Sequence, residues 1–318
     1  MKILKIILVT INLIALVILT VIVVNDDKFS NSIITKLGLN KGIITKDELV
    51  YINNVNPNYL KEANNHIYSD DSYEEEIINN DNKLYKLIEK TIDGIEAHIL
   101  VVYDASKLKM MVGKGFNTID NSGKERITEM TKRYNAVAGI NGGGFFDDGK
   151  VSKDIPIGYV IKDNKILWDY SYERRSLIIG FSNDNKLMML DKTTGKEAIE
   201  QGMRDGLEFG PILIKNGVIT KESVESKWER RAARLILSQR DDGIVIILAT
   251  NGGTSGGARM SKLLEELMRY GVTNAANLDG GASTQMVVED KLITKTKNAY
   301  NQDIPLGRLV INGWGLIP

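Results

Sequence analysis

The chain has no cysteine, two histidines among 318 residues, and no surplus of either charge, with 41 Lys+Arg against 41 Asp+Glu. Without cysteine there is no disulfide, no thiolate metal site and no thiol nucleophile. The histidines are His66 and His98, both remote in sequence from the glycine-rich turns. A Ser-His-Asp triad therefore has no base at those turns, and His98, inside an apolar run, reads as an ordinary strand residue. Zero net charge provides no field to attract nucleic acid, so nucleic acid is not an expected partner. Proline is scarce as well, five residues in all, beside abundant Ile, Lys and Asn. That is a compositional habit and excludes nothing.

What is present divides the chain. Hydrophobic residues make up 43%, enough for one large core, or one core and an appendage. From Ile6 to Val24 only Thr10, Asn12 and Thr20 interrupt an apolar run, which is long enough to span a bilayer as a helix. Val21 to Asp27 holds no A-x-A-like cleavage site, so residues 1–24 are predicted to be an uncleaved anchor rather than a signal peptide. Lys2 and Lys5 favour a cytoplasmic start, which places the rest of the chain outside the cell membrane. Residues 25–82 read as a polar extracytoplasmic spacer, and their acidic patch, Asp70-Asp71-Ser72-Tyr73-Glu74-Glu75-Glu76, as a solvated face or loop.

Residues 83–318 carry the functional domain. Alternation and turn pairs predict strands at Ala97–Tyr103, Ala136–Ile140, Pro156–Ile161, Ser176–Phe181, Lys186–Leu190, Ile212–Lys215, Arg234–Ser238, Ile244–Thr250, Thr284–Val288 and Arg308–Ile311. Helices are expected at Lys124–Tyr134 and Ala258–Tyr270, the second with Leu263, Leu264, Leu267 and Met268 on one face and Gly271 as its stop. The fold class is α+β or mixed α/β: a strand-rich single domain with mixed sheets and few helices, following the transmembrane helix. Strand 244–250, the second helix and strand 275–278 read as a βαβ unit. In that unit Asn251 and Asp279 both leave carboxyl ends of strands, where open α/β sheets place ligands.

Two glycine corners look chemical. Asn277-Leu278-Asp279-Gly280-Gly281-Ala282-Ser283-Thr284 delivers a carboxylate from an apolar run into two glycines and two hydroxyls. Gly139-Ile140-Asn141-Gly142-Gly143-Gly144-Phe145-Phe146-Asp147 has the same character. Tight turns alone account for either one taken singly. Together they offer backbone N–H groups for an anion, with Asp279 the leading acid/base candidate, then Asp147 and Asp148, and Asp154 more distantly. If the leaving group is a phosphate the need for a proton donor falls, and N–H donors and a cation such as Arg234 or Arg259 matter more. Gly252-Gly253-Thr254-Ser255-Gly256-Gly257 lacks the Gly-Lys-Ser/Thr ending of a P-loop. A divalent cation on Asp279 remains open, although no dense run of spaced carboxylates supports it.

Several motifs in order resemble the phosphodiester glycosidase family from about Leu84 to Leu316. They are Asp93-Gly94, Val102-Tyr103-Asp104-Ala105-Ser106, Ile140 to Phe145, Pro156-Ile157-Gly158, Phe209-Gly210-Pro211 and Tyr270-Gly271, then Asn277 to Thr284. The resemblance implies a glycosidase acting on phosphodiester-linked sugars. It maps Asp279 and Asn141 to the catalytic positions and Gly280, Gly281, Ser283 and Thr284 to substrate binding; from the turns themselves, Gly143, Gly144 and Asn251 as donors and Arg234 as the charge are added to the substrate-binding set. It implies a phosphorylated glycan or cell-envelope polymer as partner; no cofactor is expected, a divalent cation being the one alternative. There are departures. Bacterial relatives show Pro-Arg-Thr-Ala where this chain has Ala233-Arg234-Leu235-Ile236, and Asp-Gly-Arg where it has Asn251-Gly252-Gly253. Compensation by Asp154, Arg259 or Arg308 is one outcome. The other is a member that has lost turnover and binds an envelope glycan or anionic polymer.

Overall fold

The computed structural model of the chain describes residues 71–79, 81–116, 123–147, 152–169 and 175–318. The predicted anchor and the spacer up to residue 70 lie outside the described residues. Among the described ones, no helix is long and apolar enough to cross a membrane.

Strands that are apolar at every position dictate the layering. In Val245–Thr250, Val245, Ile247 and Ala249 join a central apolar cluster, while Ile246 and Leu248 join another on the opposite face. Leu235–Arg240 divides in the same way, Leu235 and Leu237 against Ile236. Side chains alternate with period two, so such strands need cover on both sides. They sit in a seven-stranded sheet ordered Tyr85–Ile92, Ile95–Val102, Val245–Thr250, Leu235–Arg240, Val272–Leu278, Ile212–Lys215, Val218–Ile219. Helix Met260–Arg269 covers one face through Leu263, Leu264 and Leu267, all fully buried, and ends at Gly271 with φ +70°. The other face meets two five-stranded sheets, and residues from all three sheets make up the central cluster.

The domain is strand-rich with few helices, yet the expectation of mixed sheets needs correcting. Every pairing between strands described here is antiparallel. Short turns account for the pairs that are neighbours in sequence. Asp93-Gly94 joins the first two strands with φ of 52° and 76°, the two positive values a tight hairpin needs. The βαβ reading survives in altered form. Leu235–Arg240 is inserted between Val245–Thr250 and Val272–Leu278, antiparallel to both. The latter two are therefore parallel but unpaired, and Asn251 and Asp279 leave the sheet at the same end.

Other elements differ from the sequence reading. The acidic patch is not a solvated loop: Asp71–Ile77 is a helix docked on the domain, with Ile77 buried. Glu74 pairs with Arg240. Glu76 pairs with Lys90, whose ammonium sits 3.9 Å from the ring centre of Tyr73 and 5.0 Å from that of Tyr270. The strand expected at Arg308–Ile311 begins later, at Asn312–Leu316. Its two glycines argue against a strand by propensity, but a Cβ on Gly313 would lie 2.2 Å from the Ile140 carbonyl oxygen, so close approach requires glycine there. Trp314 in this strand is fully buried and meets Phe181 edge to face at 5.4 Å.

Candidate active site

The two glycine corners meet. Strand Ala138–Asn141 ends at the first and strand Val272–Leu278 at the second. The Asn141 side chain ties them together, Nδ2 donating to the Asp279 carbonyl at 2.8 Å and Oδ1 accepting from Gln285 N–H at 2.8 Å. The Asp279 N–H returns a bond to the Gly142 carbonyl at 3.0 Å. Asn141 is 1% exposed and both ends of its amide are occupied. It holds the backbone on either side of the carboxylate and does not line the cleft.

Asp279 lies in a cleft of about 530 Å³, with Gly144, Phe145, Ser283, Tyr300 and Arg308 among its lining. Burial pushes its carboxyl up to about 6. The Ser283 hydroxyl, the Arg308 guanidinium and the Gly280 N–H pull the other way. Arg308 also donates to Ser283 Oγ at 3.4 Å and lies 4.8 Å from the centre of the Phe145 ring. Among the described residues lining this cleft, Asp279 is the sole carboxylate and Arg308 the sole cation. With a guanidinium as its charged neighbour, Asp279 is poorly set to hold a cation. No group of three or more His, Asp or Glu suited to a metal occurs among the described residues. Asp148 and the side chains of Asp147 and Asp154 lie outside them.

The remaining sequence candidates divide. Gly280 and Ser283 line the cleft with Asp279 and Gly144. The amide cradle expected around them is largely closed. Gly281 N–H donates to the Ala233 carbonyl at 2.8 Å, Ser283 N–H to Gly280 at 3.1 Å and Thr284 N–H to Gly281 at 3.2 Å. Gly143 N–H is taken by Asn312 Oδ1 at 2.8 Å. Glycine is required here by close packing. A Cβ on Gly280 would come 2.8 Å from the Ala233 carbonyl oxygen, and one on Gly142 2.3 Å from Asn312 Oδ1.

Arg234 faces away from the cleft. Its guanidinium lies 4.9 Å from the Trp228 ring centre and donates to the Arg230 carbonyl at 3.1 Å. Alternation accounts for this, because Arg234 shares its strand face with Ile236, which packs on the helix side. Asn251 is buried in another cluster. Its Nδ2 donates to Glu96 Oε2 at 2.6 Å, and its Oδ1 accepts from Lys295 N–H at 2.8 Å and faces His98 Nε2 at 3.3 Å. Thr284 is buried, and its hydroxyl has no hydrogen-bond partner. Arg259 is committed to Asp93, Nη2 donating to Oδ1 at 2.6 Å, which with Arg231 holds that carboxyl down at about 2. Of the cations considered for the site, the cleft keeps Arg308. Phe209, from the Phe209-Gly210-Pro211 motif, lines the cleft, whereas sequence reasoning did not find Tyr300, because a lone aromatic in a loop carries no periodic signal.

Comparison with known proteins agrees with the fold. A curated relative, the SPbeta prophage-derived uncharacterized protein YomE of Bacillus subtilis (strain 168), is 26% identical over 193 residues. The match covers 57% of this chain and 29% of that protein, so this chain spans under a third of the relative's length. Among solved structures, the zebrafish N-acetylglucosamine-1-phosphodiester alpha-N-acetylglucosaminidase catalytic domain, auto-inhibited by its pro-peptide, aligns with a TM-score of 0.62 at 18% identity. That alignment covers 76% of this chain and 85% of the other. A hypothetical protein from Synechocystis aligns at 0.51 with 14% identity, covering 73% and 61%. At these identities the likeness is one of fold. The sequence pattern of the phosphodiester glycosidase family matches residues 134–317, more than half of the chain and both glycine corners, and the chain belongs to that family.

Proposed function

We propose that the chain is a membrane-anchored, extracytoplasmic hydrolase that breaks the bond between a sugar's anomeric carbon and a phosphodiester oxygen in a cell-envelope or exported glycan. The observation that carries this reading is that, among the described residues lining the cleft, one carboxylate, Asp279, faces one guanidinium, Arg308, whose charge acts on it. An ordinary glycosidase site holds two carboxylates, one of them to protonate the leaving oxygen. A phosphate monoester leaves as an anion and does not need that proton. Asp279, ionised above about pH 6, faces the positive charge that develops at the anomeric carbon and takes a proton from the incoming water. The water oxygen bonds to that carbon as the carbon–oxygen bond to phosphate breaks. The electron pair stays on the phosphate oxygen, where Arg308 meets it with a charge-assisted hydrogen bond. Asn141 acts by position, holding the Asp279 backbone. The apolar run from Ile6 to Val24 supports the anchor.

The test is release of free sugar from the methyl diester of N-acetylglucosamine 1-phosphate by the full chain. Hydrolysis is expected, with methyl phosphate as the second product. Arg308→Ala is expected to lower kcat/KM by about 100-fold, a loss of roughly 2–3 kcal/mol for a hydrogen bond to a charged group. It should also move the acidic limb of the rate profile to higher pH, because Arg308 holds the Asp279 carboxyl down. One observation favours a second reading, binding without turnover. Where relatives carry Asp-Gly-Arg, Asn251 is a buried amide tied to Glu96 and Lys295. Tight binding of the diester with no sugar released identifies that case.

A further inference from the structure

Tyr300 is the most exposed large hydrophobic side chain among the described residues, at 84%, well above Leu306 at 64%. It lines the same cleft as Asp279, and its ring takes part in no aromatic or cation–π pair among the described residues. Left in water, that ring forgoes roughly 1.5–3 kcal/mol of burial. The turn that presents it is built with care. Asn298 Oδ1 accepts from Tyr300 N–H at 2.9 Å and from Gln302 N–H at 3.0 Å, while Asn298 Nδ2 donates to Gln302 Oε1 at 2.9 Å. Asn298 N–H bonds the Gln302 carbonyl at 2.9 Å, and Asn301 occupies the left-handed region at φ 61°. Below the turn, Lys297 bridges Asp303 and Ile304 N–H bonds the Thr296 carbonyl. The Tyr300 backbone is fixed while its ring is offered to the cleft, the arrangement that lowers the entropy cost of binding.

From this geometry we propose that Tyr300 is the platform of a second sugar subsite, stacking on a ring of the glycan chain other than the one whose linkage is cleaved. The inference rests on the hydrolase reading of the cleft and deepens it: the substrate is an oligomer or polymer, not a single capped sugar. The chemistry fits. The C–H-lined face of a pyranose is apolar and flat enough to lie on an aromatic ring, and the phenol hydroxyl at the rim serves the ring's own hydroxyls. Arg308, which lines the same cleft, meets the phosphate linking the two rings.

Two probes separate the outcomes: the methyl diester of N-acetylglucosamine 1-phosphate, and a trimer of N-acetylglucosamine joined by phosphodiester links from C1 to C6. With the full chain, Tyr300→Ala is expected to reduce kcat/KM on the trimer about tenfold more than on the methyl diester, through KM, and Tyr300→Trp to restore it. Binding is measured in parallel on Asp279→Asn with and without Tyr300→Ala. A trimer Kd about tenfold weaker without the ring supports the subsite even if the wild type releases no sugar, in which case the hydrolase reading fails alone. Equal effects of Tyr300→Ala on both probes, or no Tyr300-dependent difference in turnover or binding (binding of neither probe included), overturn the proposal.

Discussion

Asp279→Asn is expected to lower sugar release at least about a thousandfold and, at the same time, to stabilise the protein at neutral pH. Loss of an acid/base group accounts for the first effect. The second follows from the carboxyl being raised to about 6 in the fold, against roughly 3.9 in an unfolded chain. Below the lower value both states are protonated. Between the two, the unfolded chain ionises first, so stability falls as pH rises and levels off above about 6. Asp279 keeps some solvent contact at the cleft, so the cost at pH 7 is about 1–3 kcal/mol. An asparagine keeps the shape without the charge. Melting curves should show the variant a few degrees above the wild type at pH 7 and level with it near pH 4. A variant destabilised at every pH would make Asp279 a structural carboxylate.

Asn141→Ala carries the largest expected loss of stability, about 2–5 kcal/mol. It leaves the Asp279 carbonyl and the Gln285 N–H without partners in a buried corner, and each orphaned group costs about 1–3 kcal/mol. Activity should fall as well, because that tether fixes where Asp279 leaves its strand. Thr284→Val is the matched control. Thr284 is equally buried and belongs to the same motif, but its hydroxyl has no hydrogen-bond partner, so under about 1 kcal/mol is expected. Urea denaturation of the two variants measures the contrast. Equal costs would mean that the corner is held by its backbone ladder alone.

The meeting of the corners explains what was legible in the sequence. Asp279 and its glycines stood out because an apolar run breaks abruptly into Asp-Gly-Gly, and helix Met260–Arg269 because its apolar face has a helical period. Side-chain direction was less readable. Arg234 lies next to Leu235 in a continuous apolar strand, and alternation sends it to the helix face, away from the cleft. Glycine misled in a particular way. Gly142 and Gly280 suggested exposed amides for an anion, whereas contacts with Asn312 and Ala233 require their missing Cβ atoms. Strand Asn312–Leu316 was hidden for the same reason, Gly313 being needed for contact with Ile140 and Gly315 for contact with Met111 and Ala136. Arg308 and Tyr300 reach the cleft from loops, where no periodicity marks a residue. The acidic helix Asp71–Ile77 resembled a solvated run because its partners, Lys90 and Arg240, are remote in sequence.

The proposed chemistry rests on one partly buried carboxylate, Asp279, working in its ionised form beside the Arg308 guanidinium. The most direct measurement is kcat/KM for sugar release from a 1-phosphodiester across pH 4 to 8, which reports the ionisation of the free enzyme. A rise to a plateau with its midpoint near 6, matching the Asp279 carboxyl, is the expected profile. A rate that is flat through that range, or that falls as the carboxyl ionises, removes Asp279 from the role given to it.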